Sequence, residues 1–340
     1  MQRSGTRWWA VVLAGGLALA GVAGAQRVEL KIATLAPEGS DWMAALTAAR
    51  AEILEATEGR VNLRLYPSGI MGEERDVLFK IRARQLDGAG LMGVGLIRIA
   101  PDSQALMVPL LFRDYDEVDA TVAGMHDHLA AQSLSNGFIA MGWTEVGFAH
   151  LFSSVPVRNL ADLRGARPWA TSEAGMLADF FSAARVNALA VPIPDVLTAL
   201  QTGMLQTVYS PPLGAVALQW HTRLRYVNEL RLSYAFGGLF FAERAWNRLT
   251  PDDRETVRGI VERRVEDLNR IVRARNREAM EVMVEQGIRV LTSSPEELAE
   301  FEAVSRRSEA AIVGEYFSRE AWDRVQEILR ERRAGAEPAS

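Results

Sequence analysis

Residues 28–33 alternate apolar and polar side chains, the two-residue period of a half-buried strand. Over 41–57 the period changes. Trp42, Leu46, Ala49 and Ile53 then share one helical face, and Glu58-Gly59 ends it. Alternation returns over 61–66, Pro67-Ser68-Gly69 marks a turn, and a helix over 73–84 precedes a buried strand over 89–94. The opening is therefore β-α-β-α-β. Residues 116–135 predict a helix, and 137–144 and 148–152 predict strands that cross into a second lobe. A helix over 172–184 and a strand over 188–192 follow. Two extended pieces around Gly237-Gly238, within 225–241, predict the return crossing.

Thr250-Pro251 opens a long helical pattern, with threonine at the cap and proline at the first position. Its apolar residues run from Val257 and Ile260 through Leu268 and Val272 to Met283, and Gly287 ends it. At ~1.5 Å per residue the pattern spans roughly 50 Å, more than one small lobe. It lies across both lobes or breaks near 273–277. A short strand over 288–291, a capping box at Ser294 and Glu297, and two helices ending by Arg332 complete the pattern.

The stretch 162–212 reads as strand, helix, strand, helix. It ends with a helix from Pro194 to Gly203 and a strand from Met204 to Tyr209, stopped by Pro211-Pro212. That order predicts a parallel sheet, and ligands gather at the carboxyl ends of such strands. Trp169 and the Tyr209-Ser210 pair fall near those ends. Ordinary βαβ packing without a site reads the same pattern equally well.

Composition narrows the class. The chain has 340 residues, enough for two lobes, and a net charge of -5, a poor match to nucleic acid. The absence of cysteine excludes disulfides, thiolate zinc sites and cysteine catalysis. Of the four histidines, His126 and His128 lack the spacing of a helical zinc pair. No nucleophile elbow or phosphate loop is present, so the chain reads as a binding protein without cofactor or metal rather than an enzyme. Arg3 and Arg7, the uncharged run from Trp8 to Val22, and Ala23-Gly24-Ala25 predict a signal peptide over 1–25 and export to a periplasm.

Leu163-Arg164-Gly165 and Ala199-Leu200-Gln201-Thr202-Gly203 resemble two motifs of the solute-binding proteins of TRAP (tripartite ATP-independent periplasmic) transporters, the DctP-like family. Gly39-Ser40-x-Trp42, Tyr66-Pro67-Ser68-Gly69, Met71-Gly72-Glu73 and Pro109-Leu110-Leu111-Phe112 extend the resemblance over nearly the whole exported chain. It implies an α/β, two-lobed periplasmic binding protein of type II-like architecture, with a long carboxyl-terminal helix spanning both lobes. The lobes divide as 26–148 plus about 238–275, and 149–237 plus about 276–332, with 333–340 a flexible tail. It also implies TRAP membrane subunits as partners.

The resemblance places a carboxylate-binding arginine where this chain has Trp169, and a second where it has Ala149. Arg167 stands at a family lysine, Gln206 at an aspartate and Ser210 at an asparagine, with Tyr209 at a position where polar residues are common. Losing arginine and gaining aromatic surface predicts an apolar or amphipathic ligand. In this the chain resembles a branch of the family with hydrophobic ligands, which implies a periplasmic helical-repeat protein as a further partner. On strand alternation Arg167 shares the face of Trp169, which leaves carboxylate binding through Arg167 as the alternative. Leu35, Trp143, Phe148, His150 and Phe236 are further wall candidates. A solute sensor and the binding protein of an ATP-driven importer are the rival classes.

Overall fold

The structure, a computed structural model, describes residues 27–170 and 175–336; the expected signal peptide lies outside them. The alternating segments form β1 (Val28–Ala33) and β2 (Val61–Tyr66), parallel, with β3 (Gly88–Leu91) on the other side of β1. Two helices, α1 (Asp41–Ala56) and α2 (Glu74–Arg82), connect them. The Ser40 hydroxyl accepts the Met43 N–H at the start of α1, and Met43, Leu46, Ala49 and Ile53 face the core. Met43 takes the core position assigned above to Trp42, which is half-buried. Strand β3 stops at Leu91, because α3 (Val94–Ile99) begins where the sequence pattern continues the strand.

After α4 (Tyr115–Ser135) comes β4 (Phe138–Ser153), a single strand where two are predicted. Three bulges, at Ala140/Gly142, Glu145/Gly147 and Ala149/Leu151, break its alternation and so hide its continuity. Gly147 has a φ of 113°, and a Cβ there would lie 2.6 Å from the Asn276 side chain. The glycine admits both the bulge and the approach of a helix. β4 pairs antiparallel with β8 (Tyr226–Ala242) along nearly its whole length.

Between these strands the chain builds α5 (Leu160–Gly165), β5 (Trp169–Ala170), α6 (Met176–Ala183), β6 (Leu189–Ala190), α7 (Ile193–Gln201), β7 (Thr207–Ser210) and α8 (Pro212–Ala217). β5 and β6 are parallel, and Pro168 bridges Thr207 in parallel. After β8 come α9 (Glu243–Trp246), α10 (Pro251–Glu285), β9 (Arg289–Leu291), α11 (Pro295–Ile312) and α12 (Arg319–Ala336). The main sheet has the order β2-β1-β3-β8-β4-β7, with β9 also on β8. Helix α10 is capped by Thr250 and runs unbroken through 273–277.

One core joins β1, β3 and α1 with Phe240, Phe241 and the first half of α10. The far lobe has two. Phe152, Trp169, Trp220, Val227 and Met283 form one, and Leu151, Leu163, Phe181, Leu232 and Phe301 form the other. Adjacent residues Leu151 and Phe152 point to opposite faces of the crossing strands, so these cores sandwich them. The assignment of 276–332 to the second lobe is corrected at its end. Trp322, Val325 and Leu329 of α12 pack into the first core, so the chain returns there after α11. The start of the expected tail is also structured. Arg333 lies in α12 and pairs with Glu117, and its guanidinium donates to the Leu111 carbonyl.

Candidate functional site

Because β1 and β3 are parallel neighbours, their carboxyl ends open on the same side. The loop after β1 is held by Thr34, whose hydroxyl accepts the Ala36 N–H at 3.1 Å. The loop after β3 is held by Glu74. Its carboxylate, 8% exposed, accepts N–H bonds from Met92 at 2.7 Å, Gly93 at 3.1 Å and Gly95 at 2.7 Å. Glu74, at the start of α2, therefore fixes the loop after β3. Nothing local in the sequence signals a contact to residues so much later in the chain. Between these loops lies a cavity of about 230 Å³, walled by Leu35, Ala36, Pro37, Trp42, Met92 and Val146. Leu35, a wall candidate from sequence, lines this cavity, together with Trp42, Met92 and Val146, which sequence reasoning did not single out as walls.

In the other lobe, β7 ends at Ser210, which pairs with His150 on β4. The Ser210 hydroxyl donates to the Pro211 carbonyl at 2.9 Å. Residues 171–174, which follow β5, lie outside the described ones.

Trp169 is not a cleft wall but a core residue. It is 3% exposed, stacks on Tyr209 at 4.8 Å and meets Trp220 edge-on at 5.2 Å. Its indole N–H is spent on the Val191 carbonyl at 2.8 Å. Tyr209 packs between Trp169 and Phe181, spanning the two far cores. Ala149 is also buried, at 3% exposure.

Arg167 does not share the face of Trp169. Its φ of 40° precedes a strand only two residues long, so strand alternation does not reach it. It is exposed, and its guanidinium donates to the Gln206 side chain at 3.2 Å. Arg167 and Gln206 sit at the amino ends of β5 and β7, opposite the ends that face a ligand.

The remaining candidates lie elsewhere on the crossing. Trp143 stacks on Phe236 at 5.5 Å within the first core and donates to His126 at 3.2 Å. Phe148 packs on Tyr115 at 4.9 Å and, with His150, lines a cavity of about 290 Å³ under α10. The cleft cavity and this one share no lining residue.

Glu145 links the crossing segments. Its buried carboxylate accepts from Arg273 of α10 at 2.8 Å and from the Tyr234 hydroxyl at 2.9 Å. Burial raises its pKa, an effect the Arg273 charge opposes. Burial and the neighbouring Glu145 also push the Tyr234 hydroxyl well above the usual range. Among the described residues no cluster of three or more metal-ligating side chains occurs.

Two regions joined by β4, β8 and α10 around a cleft at strand ends define a two-lobed solute-binding protein. Residues 32–313 match the bacterial extracellular solute-binding protein family 7, DctP, and the chain belongs to that family of TRAP receptors, which bind solutes and are not enzymes. A TRAP periplasmic solute-binding protein of Ochrobactrum anthropi superposes with a TM-score of 0.84 at 19% identity, covering 92% of this chain and 97% of that one. A solute-binding protein of Roseobacter denitrificans is 24% identical over 235 residues, 68% of this chain and 72% of its own length. Its structure, with bound L-galactonate, has a TM-score of 0.74 at 21% identity, covering 89% of this chain and 99% of that one. The 2,3-diketo-L-gulonate-binding periplasmic protein of Escherichia coli is 26% identical over 159 residues, 46% of this chain and 48% of its own.

Proposed function

We propose that the protein is the periplasmic receptor of a TRAP-type transporter, and that it delivers a small organic acid with an apolar portion to the membrane subunits. The observation that carries this reading is the cavity at the ends of β1 and β3, lined mainly by apolar side chains. The acid follows from the similar proteins, which take L-galactonate and 2,3-diketo-L-gulonate. A wholly apolar ligand loses its main support, because Trp169 packs in a core rather than on the cleft. The helical-repeat partner rested on that ligand and drops out with it.

Arg167 is not the anchor of the acid in this reading. Its carboxylate meets hydroxyl and backbone donors, without the bidentate arginine fork of the family pattern. Lobe closure over the solute then excludes water and strengthens each of those bonds.

Native mass spectrometry of the exported chain, purified without refolding, tests the reading. Co-purification of a carboxylic acid, or stabilisation by hexonates, uronates or aromatic acids in a thermal-shift panel, is the expected result. Stabilisation only by neutral apolar compounds overturns it.

A further inference from the structure

The cavity under α10 is built by all three segments that join the lobes. β4 contributes Phe148 and His150, β8 contributes Arg231, and α10 contributes Arg273 and Arg277. At about 290 Å³ it has room for a small hydrated anion. Its charged lining is three arginines against one carboxylate, Glu229, which already accepts the Thr292 hydroxyl at 2.6 Å. Arg273 is neutralised by Glu145 and Asp119. Arg231 lies over the Phe148 ring at 5.1 Å, and neither it nor Arg277 has a carboxylate partner among the described residues.

His150 lines the same cavity. Burial, and then the nearby Arg231 charge, hold the ring pKa down at about 4, so it is neutral at physiological pH. A bound anion would offset the Arg231 charge and give the ring an acceptor for its proton.

We propose that this cavity is a second ligand site, specific for a small oxyanion held by Arg231 and Arg277 with His150 beneath. Bound there, the anion ties β4, β8 and α10 together, the segments that must flex when the lobes close. The site is separate from the cleft and does not depend on which solute the cleft takes.

The test is a titration of the whole exported chain with sulfate, inorganic phosphate and acetate at constant ionic strength. The ring signals of His150 are followed by NMR, assigned with His150→Gln. Saturable movement of those signals, with a rise in the ring pKa, is expected. Arg231→Gln or Arg277→Gln should weaken the response about tenfold each, the scale of one charged hydrogen bond. The double variant should abolish it, and Leu35→Trp, which fills the cleft, should leave it intact. Response to tetrahedral anions alone, or to acetate as well, separates an inorganic from a carboxylate ligand, and either supports the site. No response, an equal response in the double variant, or loss of the response in Leu35→Trp overturns it.

Discussion

Trp169→Ala should cost the fold far more than it costs ligand recognition. The indole is 3% exposed and sandwiched by Tyr209 and Trp220 at 4.8 and 5.2 Å. Removing a buried tryptophan leaves a cavity and typically costs about 3–5 kcal/mol. Trp169→Phe separates the contributions. It keeps a ring in the stack but removes the N–H that meets the Val191 carbonyl at 2.8 Å, an expected loss of about 1–3 kcal/mol. Urea unfolding followed by far-UV circular dichroism measures both, with an unchanged slope and a lower midpoint. Affinity of the folded Trp169→Phe protein for its acid should stay within a few-fold of the parent. Refutation is the reverse pattern: a stability loss below about 1 kcal/mol in Trp169→Ala together with abolished binding. That would return Trp169 to the cleft and revive the apolar-ligand reading.

Further outcomes follow from the same geometry. Leu35→Trp or Met92→Trp should fill the cleft cavity and weaken acid binding at least about tenfold, read by calorimetry, with little change in unfolding midpoint. His150 has a folded pKa of about 4, below its ordinary 6.5, so the unfolded chain takes up the proton first as pH falls. Stability from this group is therefore full above about pH 6.5 and lost progressively down to about pH 4, by up to about 3 kcal/mol. His150→Gln should flatten the urea midpoint over that window relative to the parent. Trp322→Ala should destabilise the first lobe by about 3–5 kcal/mol, seen as lost hydrogen-exchange protection in β1 and α1, because α12 completes that core.

Much of the fold was readable from period alone. The alternation of 28–33 and 61–66, the cap at Thr250 and the apolar spacing of α10 each specify an element through local chemistry. What failed was non-local. The continuity of β4 is hidden by bulges that reset its alternation, and α12 carries a helical pattern that fits either lobe until Trp322 finds its core. The site was less legible. Leu35 follows from its place after β1. Trp169, however, was assigned by its match to a family arginine, and Arg167 was put on its face by strand alternation, which a left-handed residue before a two-residue strand does not obey. The Glu74 clamp joins residues about twenty positions apart, and the arginines of the cavity under α10 come from β8 and α10; neither spacing marks a motif.

A crystal structure of the protein with its co-purified ligand decides what the cleft binds. The expected result is an organic acid between the lobes, its apolar part against Leu35, Trp42 and Met92. An acid paired with Arg167, or a neutral apolar molecule lodged against Trp169, would contradict it.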